Sequence, residues 1–515
     1  MIKRRVEEFY CTEDQPVVAT KAGRLHGCRV NGVYSFKGVP YAQARRFHLP
    51  EPAEPWTGVR DALAYGPGCP EMTWSIRGRA EMDQPEVPGR IWSVSEDCQN
   101  LNVWTRSLEP GAKRPVMVWL HGGGFAGGAS THLYSYDGFE LAERYDVVLV
   151  SVNHRLNMLG FFDLSEYGEC YAHSANAGMA DLVLALQWVR DNIALFGGDP
   201  DNVTILGQSG GGGKVCTLMQ MPAADGLYHR AIIQSGVFRD HFMEQRRGLT
   251  DAVVKALGLT RETIGRIETM DMETVAAAVR AEADRMGVGM MQLWGPTPEP
   301  GFYEGNPLAV GFRPETRRIP IIAGSCVAEF DDRVPAGDKA RWTDEARMAQ
   351  LVSAYGDRAG AAREAFEAAY PGLDWCYAAI ADNMIRPATL ELLARRAAEA
   401  EAPCYNYVFA FESRLKGGKL LGHNSDLHFM FHNAGFMPAM CVPGVTGPLQ
   451  DAMAGAWTRF AETGDPNGPG LPAWEPCTPA GGECLKLGAR ISMEHGHDRE
   501  LMALLAEFPE KHFEG

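Results

Sequence analysis

One serine stands in a setting that favours nucleophilic chemistry. The pentapeptide GQSGG at residues 207–211 directly follows the apolar, β-branched run 203–206. This order predicts a strand, a tight turn and a helix, with glycines where a side chain would not fit. Such a turn exposes the hydroxyl group of Ser209, and the N-terminus of the next helix favours a developing negative charge. A turn without chemistry is the alternative, because glycine and serine are common in loops.

A second glycine cluster lies upstream, also at the end of a predicted strand. The sequence HGGGF at residues 121–125 follows the apolar run 116–120. Glycine lets a backbone come close to a substrate oxygen, so that its N–H groups bind an oxyanion. The donors that we expect are the N–H groups of Gly123, Gly124 and Gly210. A glycine-rich turn without this function is the alternative, and the serine turn downstream argues against it.

Two phosphate-binding patterns fit the same glycines poorly. Residues 122–127 read G-x-G-x-x-G, but the next predicted strand ends at Asn153 and His154, without an acidic residue for a ribose. Residues 210–214 are similar to a phosphate loop, but Val215 stands where serine or threonine would bind magnesium. The sequence therefore argues against nucleotide binding.

The composition is that of a large globular protein with an acidic surface. The 515 residues are 45% hydrophobic and 22% charged, and the formal net charge is −16. This charge argues against nucleic acids and anionic membranes as partners. The first residues lack the apolar segment of a secretory signal, and no apolar run approaches the roughly 18 residues of a membrane span. The 12 cysteines include no C-x-x-C pair, so we expect a cytoplasmic protein with mostly reduced thiols.

Strand-like and helical patterns alternate along most of the chain, which predicts an α/β fold with a mainly parallel sheet flanked by helices. The predicted strands are 115–120, 147–153, 203–208, 231–234, 319–325 and 404–411, and the predicted helices are 180–195, 388–400 and 448–462. Residues 237–300 contain a helix-rich stretch, for which we expect a lid or pocket wall over the active site. Residues 64–95 are rich in glycine and proline and predict a loop at the same rim.

Further segments resemble the type-B carboxylesterases of the α/β-hydrolase fold, relatives of cholinesterases and p-nitrobenzyl esterases. These segments are FKGVPYA at 36–42, SEDCQNLNV at 95–103, NHRL at 153–156, FGGDP at 196–200 and GDPN at 464–467. The resemblance covers nearly the whole chain and implies a single α/β-hydrolase domain over residues 1–515. It also implies ester hydrolysis without a metal or a cofactor.

The resemblance also implies partners for Ser209. The segment IIAGSCVAE at 321–329 is similar to the family's strand and turn that carry the acid, which assigns that function to Glu329. The segment GHNSDL at 422–427 is similar to the one that carries the base, which assigns it to His423. Asp331 and Asp332 follow Glu329 closely and are alternative acids.

Three other side chains near these positions have two interpretations each. His428 and His432 could form a metal site with His423, but the spacing does not favour one. We therefore expect both to be core or pocket-rim residues. Ser235 matches a serine near the acid in the family, and an ordinary serine at a strand end is the alternative.

Departures from the family pattern concern the serine turn, and the resemblance also marks a cysteine pair. Gln208 replaces the usual glutamate before the nucleophile, which removes one carboxylate beneath the site. Gly210 replaces the usual alanine after it, which keeps the N–H donor and makes the turn more flexible.

Cys69 and Cys98 match a pair that is bridged in secreted relatives, and free thiols are the alternative in a reducing compartment.

The resemblance implies hydrolysis of small to medium apolar acyl or aromatic esters through an acyl-enzyme. In that mechanism His423 takes the proton of Ser209, and Glu329 orients the imidazole. Amides, thioesters and polyesters are alternative substrates for the same triad, and a non-catalytic binding protein is a further alternative. We expect a monomer or homodimer with a small-molecule substrate.

Three aromatic residues are candidates for an apolar substrate pocket. Trp119 and Phe125 flank the glycine loop, and Trp294 lies in a segment where relatives line the acyl pocket. Packing in the core is the alternative for each of them, because large aromatic side chains are also common in protein interiors.

Overall fold

The fold is organised around a 12-stranded sheet. The computed structural model describes residues 6–12, 15–72, 90–239, 243–289, 293–330 and 339–510. The strands of the sheet, in chain order, are β1 Phe9–Tyr10, β2 Cys28–Val30, β3 Val33–Pro40, β4 Asn100–Thr105, β5 Arg114–Leu120, β6 Val148–Val152, β7 Gly198–Gln208, β8 Arg230–Gln234, β9 Ile321–Cys326, β10 Cys404–Ala410, β11 Glu483–Gly488 and β12 Ser492–His495.

The middle of the sheet is parallel and its margins are antiparallel. The strand order is β1-β2-β3-β4-β6-β5-β7-β8-β9-β10-β11-β12. Each neighbouring pair from β6 to β11 is parallel, whereas the pairs from β1 to β6 and the pair β11–β12 are antiparallel. The predicted α/β class with a mainly parallel sheet is confirmed. Parallel strands end at one edge, so the loops after β5, β7, β9 and β10 lie along that edge.

The described residues also form α-helices and short strands outside the main sheet. The α-helices are α1 Phe139–Tyr145, α2 Asn157–Phe161, α3 Ala177–Asn192, α4 Gly210–Leu218, α5 Met243–Ala256, α6 Met272–Met286, α7 Pro307–Val310, α8 Asp344–Tyr355, α9 Ala359–Ala369, α10 Ile385–Glu399, α11 Leu427–Met430, α12 Thr446–Thr463 and α13 Arg499–Leu505. The strands outside the main sheet are Val17–Ala19, Arg24–His26, Val59–Asp61, Ala42–Gln43, Glu51–Pro52, Glu412–Ser413 and Lys419–Leu420.

Apolar cores cover both faces of the sheet. Alternate side chains of β5 point to opposite faces, so Val118 belongs to one core and Trp119 to the other. Helix α3 contributes Leu186 to the first core, and α12 contributes Trp457 to the second. Because both faces are buried, the central strands are continuous apolar runs rather than alternating ones.

The two predicted insertions are described in part. Residues 237–300 carry α5 and α6, with 240–242 and 290–292 outside the described residues. In the rim segment 64–95, residues 73–89 lie outside the described residues, and a bridge between Gly68 and Val94 joins its two ends. The position of both segments over the active site stays a prediction.

The disulfide implied for Cys69 and Cys98 is not formed in the structure, where both are free, buried thiols. A hydrogen bond between the two thiols, together with burial, raises the pKa of Cys98.

None of the helices in the described ranges is both long and apolar enough to cross a bilayer.

Candidate active site

Ser209 occupies a strained turn between β7 and α4. Its backbone dihedrals are φ 56° and ψ −129°, a region that residues other than glycine rarely adopt. The turn is held on both sides, because the Ser209 N–H donates to the Gln234 carbonyl (2.9 Å) and the Ser209 carbonyl accepts from the Gly213 N–H (3.0 Å). This geometry leaves the Ser209 side chain partly exposed while Gln208 is buried. The structure therefore presents a serine hydroxyl at the edge of the sheet.

The turn and the glycine loop after β5 touch through their backbones. A Cβ atom on Gly210 would lie only 2.5 Å from the carbonyl carbon of Gly124. A Cβ atom on Gly211 would lie 2.9 Å from the carbonyl carbon of Leu120 and 3.0 Å from the His121 oxygen. Glycine is required at both positions because no side chain fits between the two segments.

Hydrogen bonds to its carbonyl groups orient the glycine loop. The Gly122 carbonyl accepts from Nδ1 of His121 (2.8 Å), and the Gly123 carbonyl accepts from the N–H groups of Ala126 (3.2 Å) and Gly127 (3.0 Å). In a trans peptide the next N–H points opposite to the carbonyl. The N–H groups of Gly123 and Gly124 therefore point away from these partners, and among the described residues they donate to no protein acceptor.

The third predicted donor lies at a helix start. Gly210 is the first residue of α4, so its N–H has no acceptor within the helix. Among the described residues, the N–H groups of Gly123, Gly124 and Gly210 thus donate to no helix or loop acceptor, and all three belong to the segments that meet at the Ser209 turn. Groups of this kind bind a developing oxyanion when their donors are fixed in advance.

A buried acid–base pair lies beyond β9 and β10. Nδ1 of His423 is 2.6 Å from Oε2 of Glu329, and the Cys326 N–H donates to Oε1 of Glu329 at 2.8 Å. The His423 N–H also donates to the Glu329 carbonyl at 3.1 Å. The Phe330 ring covers the imidazole, with 4.2 Å between the ring centroids. Because Nδ1 faces a carboxylate, it carries the proton and Nε2 is the unprotonated nitrogen, which accepts a hydrogen bond.

Burial sets the electrostatics of this pair. It lowers the pKa of His423 well below the usual imidazole value and raises the pKa of Glu329, against the hydrogen bond from Cys326. The Ser235 hydroxyl lies beside the Glu329 carboxylate without a well-aligned hydrogen bond, and it also lowers the pKa of Glu329. The imidazole is therefore neutral at pH 7, which is the form that accepts a proton.

Gln208 contacts the nitrogen that a serine would need. Its Nε2 lies 3.1 Å from Nε2 of His423, so the amide N–H donates to the acceptor nitrogen of the imidazole. Among the described residues, Ser209 has no hydrogen bond to His423. The structure thus brings Glu329, His423 and Gln208 together and leaves the contact between Ser209 and His423 unformed. Catalytic hydrogen bonds are often long or unaligned until substrate binds.

Gln208→Glu is expected to move the acid limb of the pH profile of kcat/KM to higher pH. In the wild type, His423 stays neutral below pH 6.5 because burial lowers its pKa. A carboxylate at the Gln208 position would favour the imidazolium and raise that pKa by about 1 unit or more. Protonation would then inactivate the base at higher pH. Rates measured from pH 4 to 9 test this. Gln208→Met, which removes the contact without adding charge, should leave the limb at low pH, and an unmoved limb in Gln208→Glu contradicts the prediction.

The three predicted pocket aromatics occupy different places. Trp119 is fully buried in the core, with its ring 5.0 Å from both Tyr136 and Phe431, so it does not line a pocket. Phe125 is partly buried and packs edge-on against Phe161 at 5.2 Å. Trp294 is 3% exposed, and its ring lies 6.5 Å from that of Phe162.

The two additional histidines do not join His423 at a metal site. His428 is buried, and burial lowers its pKa to about 3. His432 places Nε2 at 2.6 Å from Oδ1 of Asp451. The described ranges contain no group of three histidine, cysteine, aspartate or glutamate side chains arranged to hold a metal ion.

Sequence reasoning missed two buried charged residues near the site. Asp426 accepts hydrogen bonds from Gln234 and Tyr407, both at 2.8 Å, and burial raises its pKa. The family-like segment at 422–427 contains this residue and was the available signal. Lys214 lies in α4, fully buried. A lysine on a helix gives no signal in a sequence, because it is expected to face solvent.

Comparison with known proteins assigns the chain to a family. A model of the carboxylesterase family matches residues 14–504. The chain belongs to the carboxylesterase family. This carboxylesterase is 32% identical over 514 residues to the para-nitrobenzyl esterase of Bacillus subtilis (strain 168), a match that covers 96% of this chain and 99% of that protein. The family assignment confirms the resemblance seen in the sequence.

Solved structures of esterases share the fold of this carboxylesterase. An esterase from Clostridium hathewayi has a TM-score of 0.90 and 41% identity, covering 97% of this chain and 99% of that chain. A thermophilic p-nitrobenzyl esterase has a TM-score of 0.77 and 30% identity, covering 95% of this chain and 99% of that chain. The protein is therefore an α/β hydrolase that acts on carboxylic esters.

Proposed function

We propose that this carboxylesterase hydrolyses small to medium apolar acyl or aromatic esters through an acyl-enzyme formed on Ser209. The observation that carries the proposal is the 2.6 Å contact between His423 and Glu329 at the edge where Ser209 is held with a positive φ. A neutral, buried imidazole oriented by a carboxylate is suited to remove a serine proton. Phe125, partly buried after the glycine loop, is the candidate apolar surface for the substrate, whereas Trp294 is packed in the core.

In the proposed reaction, His423 takes the proton as the Ser209 oxygen attacks the ester carbonyl. Nε2 exchanges its contact with Gln208 for one with Ser209, and the resulting imidazolium is stabilised by Glu329. The carbonyl oxygen becomes an oxyanion bound by the N–H groups of the two loop glycines and of the first residue of α4. His423 then protonates the departing alkoxide, and it activates the water that releases the acid.

Labelling of the wild-type protein tests the proposal. A fluorophosphonate should attach once, on the peptide that contains Ser209, and turnover of p-nitrophenyl butyrate should fall in proportion to the label. Peptide mass spectrometry locates the adduct, and the peptides with Ser235 and Ser425 serve as internal controls because both hydroxyls are buried. Turnover with the label elsewhere, or turnover that resists the reagent, would reject Ser209 as the nucleophile.

A second candidate substrate is a polyester. The Clostridium hathewayi esterase, which matches 97% of this chain, can hydrolyse aliphatic aromatic polyesters. The same triad would cleave the ester bonds of such a polymer if a chain segment reached Ser209. Incubation with a film of an aliphatic aromatic polyester should release soluble acids, and a protein that turns over p-nitrophenyl butyrate without releasing them is restricted to small esters.

A further inference from the structure

A lysine is buried behind the glycine loop without a counter-charge. The Lys214 side chain is fully buried, and its Nζ donates to the His121 carbonyl at 2.9 Å. No carboxylate among the described residues pairs with it, and burial alone lowers its pKa to about 7. Burying an unpaired ammonium is costly, so a residue of this kind is more often retained for a site than for stability.

Lys214 acts on the first peptide plane of the loop. The carbonyl that it binds belongs to the peptide between His121 and Gly122, which precedes the two planes that carry the Gly123 and Gly124 N–H groups. The second plane is fixed by Nδ1 of His121 at 2.8 Å from the Gly122 carbonyl. Without Lys214, the His121 carbonyl would keep no donor among the described residues.

The lysine reaches the loop because of its place on α4. Side chains on a helix lean toward its N-terminus, and the N-terminus of α4 follows Ser209 directly. The same short helix therefore begins directly after Ser209 and carries Lys214, whose amine binds the glycine loop. The centroid of the Phe125 ring lies 5.9 Å from Nζ of Lys214.

We propose that Lys214 is a positioning residue for the oxyanion loop, which it holds through the His121 carbonyl so that the Gly123 and Gly124 N–H groups keep their directions. The inference rests on the proposed function of that loop. The protonated and the neutral amine both carry N–H donors, so the hydrogen bond persists across neutral pH. His121 and His154 are the titratable groups packed nearest to Lys214, and the lysine charge together with burial lowers the pKa of both.

Lys214→Met tests the proposal, because it keeps the length of the side chain and removes the donor. We expect kcat for p-nitrophenyl butyrate to fall about 10-fold to 10²-fold, less than for loss of a donor itself, while KM changes little. The inhibition constant of a trifluoromethyl ketone, whose adduct with the serine places an oxyanion in the hole, should rise by the same factor as kcat falls. A merely structural lysine would not change those two quantities together.

The melting temperature supplies an independent readout. Lys214→Met removes an unpaired buried charge, so we expect an unchanged or higher melting temperature. Lys339→Met is the matched control, because Lys339 is also buried but binds Tyr377 and Glu412 away from the loop. That control should lower the melting temperature and leave kcat unchanged. Lys214→Gln, which keeps an N–H donor at shorter reach, should lie between the wild type and Lys214→Met in kcat.

Three results would overturn the inference. They are wild-type kcat in Lys214→Met, a fall in kcat without a matching rise in the inhibition constant, and failure of both Lys214 variants to fold. The wild-type turnover and labelling of Ser209 decide the proposed function, and the comparison of the variants decides the part played by Lys214. The two proposals therefore fail separately.

Discussion

Glu329→Gln is expected to lower kcat by about 10⁴-fold, which corresponds to about 5.4 kcal/mol in the activation free energy. The carboxylate holds the proton on Nδ1 of His423 through a 2.6 Å contact, which leaves Nε2 free to accept. An amide can present its own N–H group to Nδ1 and so stabilise the wrong tautomer. It also loses the charge that stabilises the imidazolium. Initial rates at saturating p-nitrophenyl butyrate, with the melting temperature measured in parallel, give the effect on catalysis.

Asp426→Asn is the matched control for this change. It also converts a buried carboxylate near His423 to an amide, but Asp426 accepts from Gln234 and Tyr407 rather than from the imidazole. Its effect on kcat should be far smaller than that of Glu329→Gln. Asp331 and Asp332 lie outside the described residues and were alternative acids. A larger loss in Asp331→Asn or Asp332→Asn than in Glu329→Gln would transfer the acid function to that residue.

Gly210→Ala is expected to lower kcat by about 10²-fold to 10³-fold, the loss that follows removal of an oxyanion donor. Alanine is the usual residue at this position in the family, but here its Cβ atom would lie 2.5 Å from the carbonyl carbon of Gly124. The contact is with backbone, so a rotamer change cannot relieve it and the loop has to move. In the proposed mechanism, a displaced Gly124 would no longer present its N–H group to the oxyanion. The variant should bind substrate with nearly unchanged KM.

Gly213→Ala provides the comparison for Gly210→Ala. It adds the same methyl group to the same helix, at a place where the nearest atom is a Phe125 ring carbon at 3.5 Å. This is an ordinary contact, and alanine favours a helix over glycine by about 1 kcal/mol. We expect wild-type kcat and a higher melting temperature. Wild-type kcat in Gly210→Ala would mean that the loop yields without cost, and would contradict the account of the oxyanion hole.

Much of the central sheet could be predicted because strands that are buried on both faces are continuous apolar runs, which are easy to recognise in a sequence. Strands β5, β7 and β9 are apolar runs whose predicted ends differ from the observed ones by a few residues. The helix predicted at 180–195 is observed at Ala177–Asn192 and continues as a 3₁₀ turn, Ile193–Phe196. The short strands β1, β2 and β12 carry no such run, and only their pairing with neighbours defines them.

The site was less predictable because its contacts depend on which face a side chain takes and on its rotamer. Trp119 alternates with Val118 on a strand buried on both sides, so the sequence cannot tell which face meets the substrate. The contact between Gln208 and His423 joins residues 215 positions apart and rests on one side-chain conformation. The glycine patterns predict turns well, since backbone geometry demands glycine there. They do not indicate that Lys214 binds the His121 carbonyl of the loop.

The close approach of the glycine loop to the serine turn has a consequence for laboratory evolution. In a library of random variants, substitutions at Gly210 and Gly211 will disappear under selection, although no side chain at either position would meet a substrate. Depletion at these glycines would report the close approach of two backbone segments, whereas depletion at Glu329 and His423 would report the proposed acid–base function. A search for new substrates should therefore leave the glycines fixed and vary the partly buried aromatic residues near the site, Phe125 and Phe330.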